Sequence, residues 1–320
     1  MVTGGAGFIG SHLCDALIKK DYEVRCYDDL SYGSKDNIRH LIEKDGFRFL
    51  ENDVSDFKSL TEAFEKTSII FHLAARKIPR YGDALSTLKV NNEGTKNVFE
   101  AAAAHNCKVV LASTSDVYGK GIPPFRESDD LLIGRSDIRR WSYAVSKVFD
   151  EHLALAYHNE KNVPAVILRF FGTYGPRHHR SWWGGPQSVF IDQILNDEEV
   201  TIHGDGRQTR SFMFIDDLIA GIITASEKKD AEGEIINLGS DKETSILDLA
   251  KLIGKIIDNT REPRIKLIPY ESFGGGYEDV KRRIPDLAKA KMLLGFSWQV
   301  ELAEGLSKTI EWHKQNLLIN

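Results

Sequence analysis

Residues 3–10 read Thr-Gly-Gly-Ala-Gly-Phe-Ile-Gly, which places glycines at positions 4, 7 and 10 between a short apolar strand and a helix. Glycines at this spacing let the backbone turn tightly and approach a pyrophosphate, whose charge the helix N-terminus stabilises. Only three residues precede Gly4, so we expect the sequence to lack the start of its first strand. Asp28 directly follows the next strand, and a carboxylate there can bond adenosine ribose hydroxyls and favour NAD over NADP. The stretch therefore predicts a dinucleotide-binding unit.

The N-terminal half alternates short β-branched or aromatic runs with longer segments of helical period. Such alternation is typical of repeated βα units around a parallel sheet. Strands are predicted at 1–3, 23–27, 48–51, 68–72, 108–113 and 165–170, and helices at 7–19, 57–66, 89–105 and 143–158. Ligands bind at the carboxyl ends of strands in such sheets. The residues expected to bind the dinucleotide are Gly4, Gly7, Phe8, Ile9, Gly10, Asp28, Asp53, Val54, Leu73, Ala74, Ala75, Ser113, Tyr143 and Lys147.

The pattern changes after about residue 171. A stretch rich in Gly, Pro, His and Trp (172–186) is followed by helical periods at 246–257 and 302–312. We therefore predict an α/β protein with a Rossmann-type doubly wound parallel sheet and a smaller C-terminal α/β domain. Residues 1–171 would form the NAD-binding domain, and residues 172–320 mainly the substrate domain, with some segments interleaved with the first.

Composition excludes several classes of protein. The 320 residues include 42 Lys+Arg and 47 Asp+Glu, a net charge of −5, so no basic field attracts nucleic acid or an anionic membrane. No apolar run approaches the roughly 20 residues that a membrane-spanning helix needs. Cys14, Cys26 and Cys107 lie far apart in apolar stretches without metal-ligand spacing, so we expect free thiols and no metal site. These features favour a cytoplasmic protein.

Tyr143 and Lys147 are four residues apart in a predicted helix, so they lie on one face of it. The ammonium, together with a nearby oxidised nicotinamide, would lower the pKa of the phenol from about 10 toward the working pH. Many solvated helices carry such a pair by chance. Combined with the glycine-rich stretch and the hydroxyl-rich segment 113–116, however, this pair predicts a hydride-transfer site.

Two further segments complete a pattern: residues 113–119 read Ser-Thr-Ser-Asp-Val-Tyr-Gly, and residues 169–177 read Arg-Phe-Phe-Gly-Thr-Tyr-Gly-Pro-Arg. With the glycine-rich stretch and the Tyr/Lys pair they resemble the extended short-chain dehydrogenase/reductase family, the NAD-dependent nucleotide-sugar epimerases and dehydratases. The resemblance implies that Tyr143 is the base, that Lys147 is its electrostatic partner and a nicotinamide-ribose ligand, and that Ser113 or Thr114 bonds the sugar. It also implies a homodimer formed through the helices at 89–105 and 143–158.

Members of this family share oxidation of the sugar at C4 and differ in the step that follows. Decarboxylases of the UDP-glucuronate type carry Thr-Ser-Glu-Val-Tyr-Gly, which resembles residues 114–119 with Asp116 in place of Glu. The 4,6-dehydratases typically carry an Asp-Glu pair where this chain has Ser115 and Asp116. Segments 140–143 and 276–285 resemble a bacterial decarboxylase in which the corresponding residues contact the substrate and donate a proton. Arg283 could equally be a phosphate clamp shared with epimerases.

The resemblance thus favours decarboxylation of a UDP-hexuronate such as UDP-glucuronate. The alternatives are a nucleotide-sugar 4-epimerase and, with less support, a 4,6-dehydratase or a non-catalytic NAD-sensing protein. Gly172 departs from the family pattern, which has Asn at this position, and this removes an expected substrate contact. The expected catalytic residues are Thr114, Ser115, Asp116, Tyr143, Lys147 and Arg283. The expected substrate-binding residues are Tyr81, Arg140, Arg177, Arg210, Tyr277 and Arg283.

Overall fold

A computed structural model of the chain describes residues 1–77, 83–182, 184–273 and 278–317. The helices are α1 (Phe8–Lys19), α2 (Phe57–Ala63), α3 (Ala84–His105), α4 (Trp141–Lys161), α5 (Pro186–Leu195), α6 (Ile215–Glu227), α7 (Ile246–Ile257), α8 (Ala288–Leu294) and α9 (Leu302–Leu317). The strands are β1 (Val2–Thr3), β2 (Val24–Tyr27), β3 (Phe47–Leu50), β4 (Ile69–His72), β5 (Lys108–Thr114), β6 (Ala165–Phe170), β7 (Thr173–Tyr174), β8 (Val200–His203), β9 (Thr209–Ser211), β10 (Met213–Phe214), β11 (Ile235–Leu238), β12 (Glu243–Ser245), β13 (Ile265–Ile268) and β14 (Arg282–Arg283).

Seven parallel strands form the central sheet in the order β11-β6-β5-β4-β1-β2-β3. Side chains of successive residues in a strand point to opposite faces. Val110 accordingly belongs to the same buried cluster as Leu13 of α1, whereas Val109 and Leu111 belong to the cluster that contains Val98 of α3. Helices therefore cover both faces, and the predicted doubly wound Rossmann-type sheet is confirmed.

The predicted elements of the N-terminal half are all present, with shifted ends. Helix α3 begins at Ala84, five residues before the predicted start, because Asp83 caps it by accepting a bond from the Ser86 amide. Helix α2 ends at Ala63, three residues short of the prediction. Strand β11 was not predicted, although it pairs in parallel with β6 and extends the main sheet. Its short run, Ile-Ile-Asn-Leu, contains a polar residue and gives a weak strand signal.

Smaller sheets from the C-terminal half bring distant segments together. Strand β14 pairs in parallel with β9, so that Arg283 and Arg210 are direct neighbours across the two strands. Strand β12 pairs with the other edge of β9. Within the described ranges, no helix is both long and apolar enough to cross a membrane.

Candidate active site

The glycine-rich stretch forms a cradle that side chains would fill. Gly4 has a φ of +69°, and a Cβ there would lie 2.8 Å from the amide nitrogen of Ala74. A Cβ on Gly10 would lie 2.1 Å from the carbonyl oxygen of Gly4. Helix α1 begins without a side-chain cap and with no acidic residue in its first turn, so its first amides are available to an anion. This geometry fits the pyrophosphate of NAD.

Asp28 closes the other side of this cradle. Its Oδ2 accepts a bond from the Ala6 amide at 3.0 Å, and its Oδ1 accepts one from the Leu30 amide at 2.8 Å. Burial raises the pKa of Asp28, while these two bonds act to lower it. The carboxylate is therefore held in place at the end of β2, where an adenosine ribose would bind.

The other residues expected to bind NAD lie at the ends of neighbouring strands. Leu73 donates its amide to the carbonyl of Thr3, and Ala74 follows it at the same edge with Ala75 next in the chain. Asp53 and Val54 follow β3. The carbonyl of Asp53 accepts a hydrogen bond from the Tyr27 hydroxyl, and the carbonyl of Val54 accepts one from the Asn97 side-chain amide. The hydroxyl of Ser113 is already committed, because it donates to Glu151 Oε1 at 2.5 Å.

Tyr143, near the start of α4, faces the end of β5. The hydroxyl of Thr114 interacts with the phenol and lowers its pKa. Burial, and then the carboxylates of Asp116 and Asp150, act in the opposite direction and dominate, so the pKa of Tyr143 is raised. The protein's own groups therefore raise the pKa of Tyr143. The sequence predicts that Lys147 and a bound nicotinamide would together lower it.

Lys147 lies one turn after Tyr143, as the spacing predicts, but it has an unexpected partner. Its Nζ is 3.1 Å from Oδ2 of Asp150, and both side chains are buried. Sequence reasoning missed this partner, because a Lys and an Asp three residues apart are a common surface pair on helices.

Three arginines and two aspartates form a continuous charged cluster beside Tyr143. Arg283 Nη2 lies 2.7 Å from Asp116 Oδ1, and Arg140 Nη2 lies 3.3 Å from the same oxygen. Arg140 Nη1 and Arg210 Nη2 lie 3.3 and 2.8 Å from Asp279 Oδ1. Three cations against two anions leave this cluster with a net positive charge, which suits an anionic ligand. Asp279 was not among the expected residues, although it belongs to the segment 276–285 that carried part of the resemblance.

A cavity of about 330 Å³ extends from Phe8 and Ile9 of the glycine-rich stretch to this cluster. It brings together the expected residues Phe8, Ile9, Ser113, Thr114, Ser115, Asp116, Arg140, Tyr143, Arg210 and Arg283. Arg177 is not among the residues that line it, because its guanidinium turns to Asp15 on α1, 2.8 Å away. Tyr81 and Tyr277 lie outside the described residues.

The Gly/Pro/His/Trp-rich stretch supplies one wall of the cavity. His178 stacks on Phe8 with ring centroids 4.1 Å apart, and Trp182 stacks on His203 at 4.0 Å. Gly172 also lines the cavity, and a Cβ there would lie 2.4 Å from the carbonyl oxygen of Ser211. Close backbone packing thus explains why no larger residue occupies position 172.

Comparison with known proteins places the chain among nucleotide-sugar enzymes. The model of the NAD dependent epimerase/dehydratase family matches residues 1–239. The chain is 35% identical over 318 residues to UDP-N-acetyl-alpha-D-glucosaminuronate decarboxylase of Bacillus cytotoxicus, covering 98% of this chain and 97% of that protein. It is 34% identical to UDP-glucuronic acid decarboxylase 1 of Xenopus tropicalis, covering 99% and 72% of the two chains. Its structure resembles that of UDP-glucuronic acid 4-epimerase from Bacillus cereus in complex with UDP-glucuronic acid and NAD, with a TM-score of 0.89, 32% identity and 98% coverage of both chains.

Proposed function

The chain belongs to the NAD dependent epimerase/dehydratase family, and from this we propose that it decarboxylates a UDP-hexuronate through a 4-keto sugar. One observation carries the choice of reaction: the Asp116 carboxylate lies beside Tyr143 between the guanidinium groups of Arg140 and Arg283. By the family resemblance, simple 4-epimerases usually carry no acid at the position of Asp116. Similarity to two uronate decarboxylases over nearly the whole chain supports the same reaction.

The first step requires a base at the sugar 4-hydroxyl. Tyr143 is proposed to take this proton, with the Thr114 hydroxyl orienting the phenol and the sugar. Bound NAD supplies the hydride acceptor for C4 and the donor that returns the hydride. The residues of the glycine cradle and Asp28 would hold the cofactor, and Lys147 would bind its ribose.

The second step uses the charged cluster. Once C4 is a ketone, the C6 carboxylate is β to it and can leave as CO₂, because the electron pair of the broken bond is delocalised as an enolate. Arg140 and Arg283 can pair with the departing carboxylate and so orient it. C5 then takes a proton, and we propose that Asp116 or Arg283 delivers it.

Proton NMR of the purified protein with NAD tests this proposal. Separate samples would contain UDP-glucuronate, UDP-N-acetylglucosaminuronate, UDP-galacturonate and UDP-glucose. Loss of the C6 carboxylate with appearance of a pentose or 4-keto-pentose is the expected result. Absence of CO₂ release from every uronate would overturn it.

A 4-epimerase is the second candidate, and the similarity to the UDP-glucuronic acid 4-epimerase structure favours it. In the same NMR experiment this activity would change only the configuration at C4. That outcome would make Asp116 a residue that positions the sugar.

Asp116→Asn should reduce CO₂ release by about 100-fold, because the amide cannot exchange protons and pairs less strongly with both arginines. The rate of CO₂ release at saturating uronate measures this effect. Glu243→Gln is the matched control, because Glu243 pairs with Arg282, the neighbour of Arg283 in β14, and does not line the cavity. Equal losses in the two variants would assign the effect to general electrostatics and remove Asp116 from the reaction.

We propose that residues 1–171 mainly hold NAD and residues 172–320 mainly hold the nucleotide sugar. The cradle supports the first part, and Arg210 and Arg283 support the second. Tyr81 and Tyr277 stay predictions as substrate contacts.

We also propose a homodimer formed through α3 and α4. Val145 and Phe149 lie on one face of α4 and are 46% and 45% exposed, and Leu85 of α3 is 61% exposed. Phe149→Asp should therefore weaken the dimer about tenfold or more, measured by sedimentation equilibrium. Met292→Asp, on α8, is the control, since Met292 is 75% exposed elsewhere. A monomeric wild-type protein would refute the proposal.

A cytoplasmic location completes the proposal. Cys14, Cys26 and Cys107 are buried and form no disulfide, as suits a reducing compartment. Cell fractionation followed by immunodetection would check the location.

A further inference from the structure

Asp150 is a buried carboxylate to which the proposed reaction assigns no role. It lies one turn beyond Lys147 on α4, and its Oδ2 is 3.1 Å from the lysine ammonium. The side chain of Lys147 is 2% exposed and that of Asp150 is 0% exposed. Asp150 Oδ1 is buried and has no hydrogen-bond partner among the described residues. Burying such a pair is costly, so its presence in a catalytic helix needs a reason.

A chain of polar contacts holds Asp150 from the side of the sheet. The Thr95 hydroxyl of α3 stabilises the carboxylate and lies 3.1 Å from Nε2 of His72. Nδ1 of His72 lies 2.7 Å from the hydroxyl of Thr3, directly before the glycine cradle. Burial, with a smaller contribution from Lys147, lowers the pKa of His72 to about 3, so the imidazole is neutral. This chain of contacts links Asp150 to the segment that precedes the cradle.

Other charged groups around Asp150 are already paired. Glu151, the next residue, faces β6 and binds Arg169 at 2.7 Å. Tyr143 lies on the same helix, and Tyr143 and Asp116 both line the cavity. Lys147 is therefore the cation in direct contact with Asp150 in this part of the described structure. Glu151 and Tyr143 interact with Asp150 electrostatically, and His72 is linked to it through Thr95.

We propose that Asp150 is a positioning residue that fixes the ammonium of Lys147 and limits how strongly its positive charge acts on Tyr143. This inference rests on the proposed function in that it takes Tyr143 as the proton acceptor. The Asp150 carboxylate, 3.1 Å from the ammonium, carries the opposite charge and therefore opposes the effect of the ammonium on the phenol. The negative charge of Asp150 also raises the pKa of Tyr143 directly.

The consequence concerns the lifetime of the 4-keto sugar. Tyr143 takes the proton of the 4-hydroxyl when C4 is oxidised and must return it when C4 is reduced. A phenol that keeps this proton firmly disfavours early loss of the proton to solvent while the carboxylate leaves. Asp150 thereby helps Tyr143 to keep its proton for as long as the 4-keto sugar persists.

Asp150→Asn in the NAD-loaded protein tests the inference. The phenolate absorbance of Tyr143 is obtained by subtracting the spectrum of Tyr143→Phe from that of the parent, at each pH and in each background. The midpoint should move down by about 1 pH unit in the Asp150→Asn background, which is about a tenfold rise in phenolate at pH values below both midpoints. This readout needs no substrate, so a failure of the inference is distinguishable from failure of the proposed decarboxylation.

Thr95→Val is the matched control, because it removes a contact of Asp150 and keeps its charge. It should leave the Tyr143 midpoint nearly unchanged. If Asp150→Asn does not fold, Asp150→Ser leaves room for water beside Lys147 and gives the same comparison. An unchanged midpoint in the folded Asp150 variant, or an equal shift in Thr95→Val, would overturn the inference.

Discussion

Tyr143→Phe should abolish turnover and leave NAD bound. Phenylalanine keeps the ring in its place near the end of β5 and removes only the hydroxyl that would take the sugar proton. Loss of general acid–base catalysis of this kind typically costs about 10²–10⁴ in rate, and the effect here belongs at the upper end because the residue acts in both the oxidation and the reduction. The rate of CO₂ release measures it, and the NAD content of the same sample is measured after denaturation.

Tyr157→Phe is the control for this substitution. Tyr157 lies on the same helix, four turns further along, and packs against Phe99 with ring centroids 5.5 Å apart. Its loss should leave turnover nearly unchanged. Undiminished turnover in Tyr143→Phe would remove Tyr143 from the mechanism, and comparable losses in both variants would instead indicate damage to α4.

The cofactor half of the site could be predicted from sequence because its residues are close together in the chain. The cradle depends on Gly4 and Gly10, which contact each other across a single turn. The Tyr143–Lys147 relation depends only on helix geometry. Local rules of this kind need no knowledge of tertiary packing.

The substrate half could not be predicted to the same depth, because its contacts join distant segments. Asp116 meets Arg283 only because β14 pairs with β9 and places that arginine beside Arg210. The family resemblance indicated each of these residues separately and did not predict their pairing. Likewise, the turn of Arg177 toward Asp15 depends on how α1 packs, which no local pattern reveals.

Asp150 shows a different limit of sequence reasoning. A Lys and an Asp at this spacing have the same local pattern on an exposed helix face and on a buried one. Only the packing of α3 against α4, with Thr95 facing Asp150, shows that the pair is buried. The buried ion partner of Lys147 therefore gave only a weak sequence signal.

Arg169→Met should lower the free energy of unfolding by about 3–5 kcal/mol, because it would leave Glu151 buried without its cation. Arg169 Nε and Nη2 lie 2.9 and 2.7 Å from the two carboxylate oxygens, and the two side chains are 3% and 4% exposed. The guanidinium also lies over the ring of Tyr118 at 4.7 Å. Urea denaturation followed by circular dichroism measures the loss.

Two further variants distinguish the cost of leaving a buried charge unpaired from the cost of losing a contact. Arg126→Met should cost less than about 1 kcal/mol, because Arg126 pairs with Asp286 at 3.3 Å while 67% exposed. The double variant Arg169→Met/Glu151→Leu should recover much of the stability, since apolar replacement of a whole buried pair is often neutral. A small effect in the single variant, or no recovery in the double one, would contradict this account. Recovered stability without recovered turnover is the expected outcome, because Glu151 links α4 to β5 through Ser113 and so keeps Tyr143 in register with Thr114.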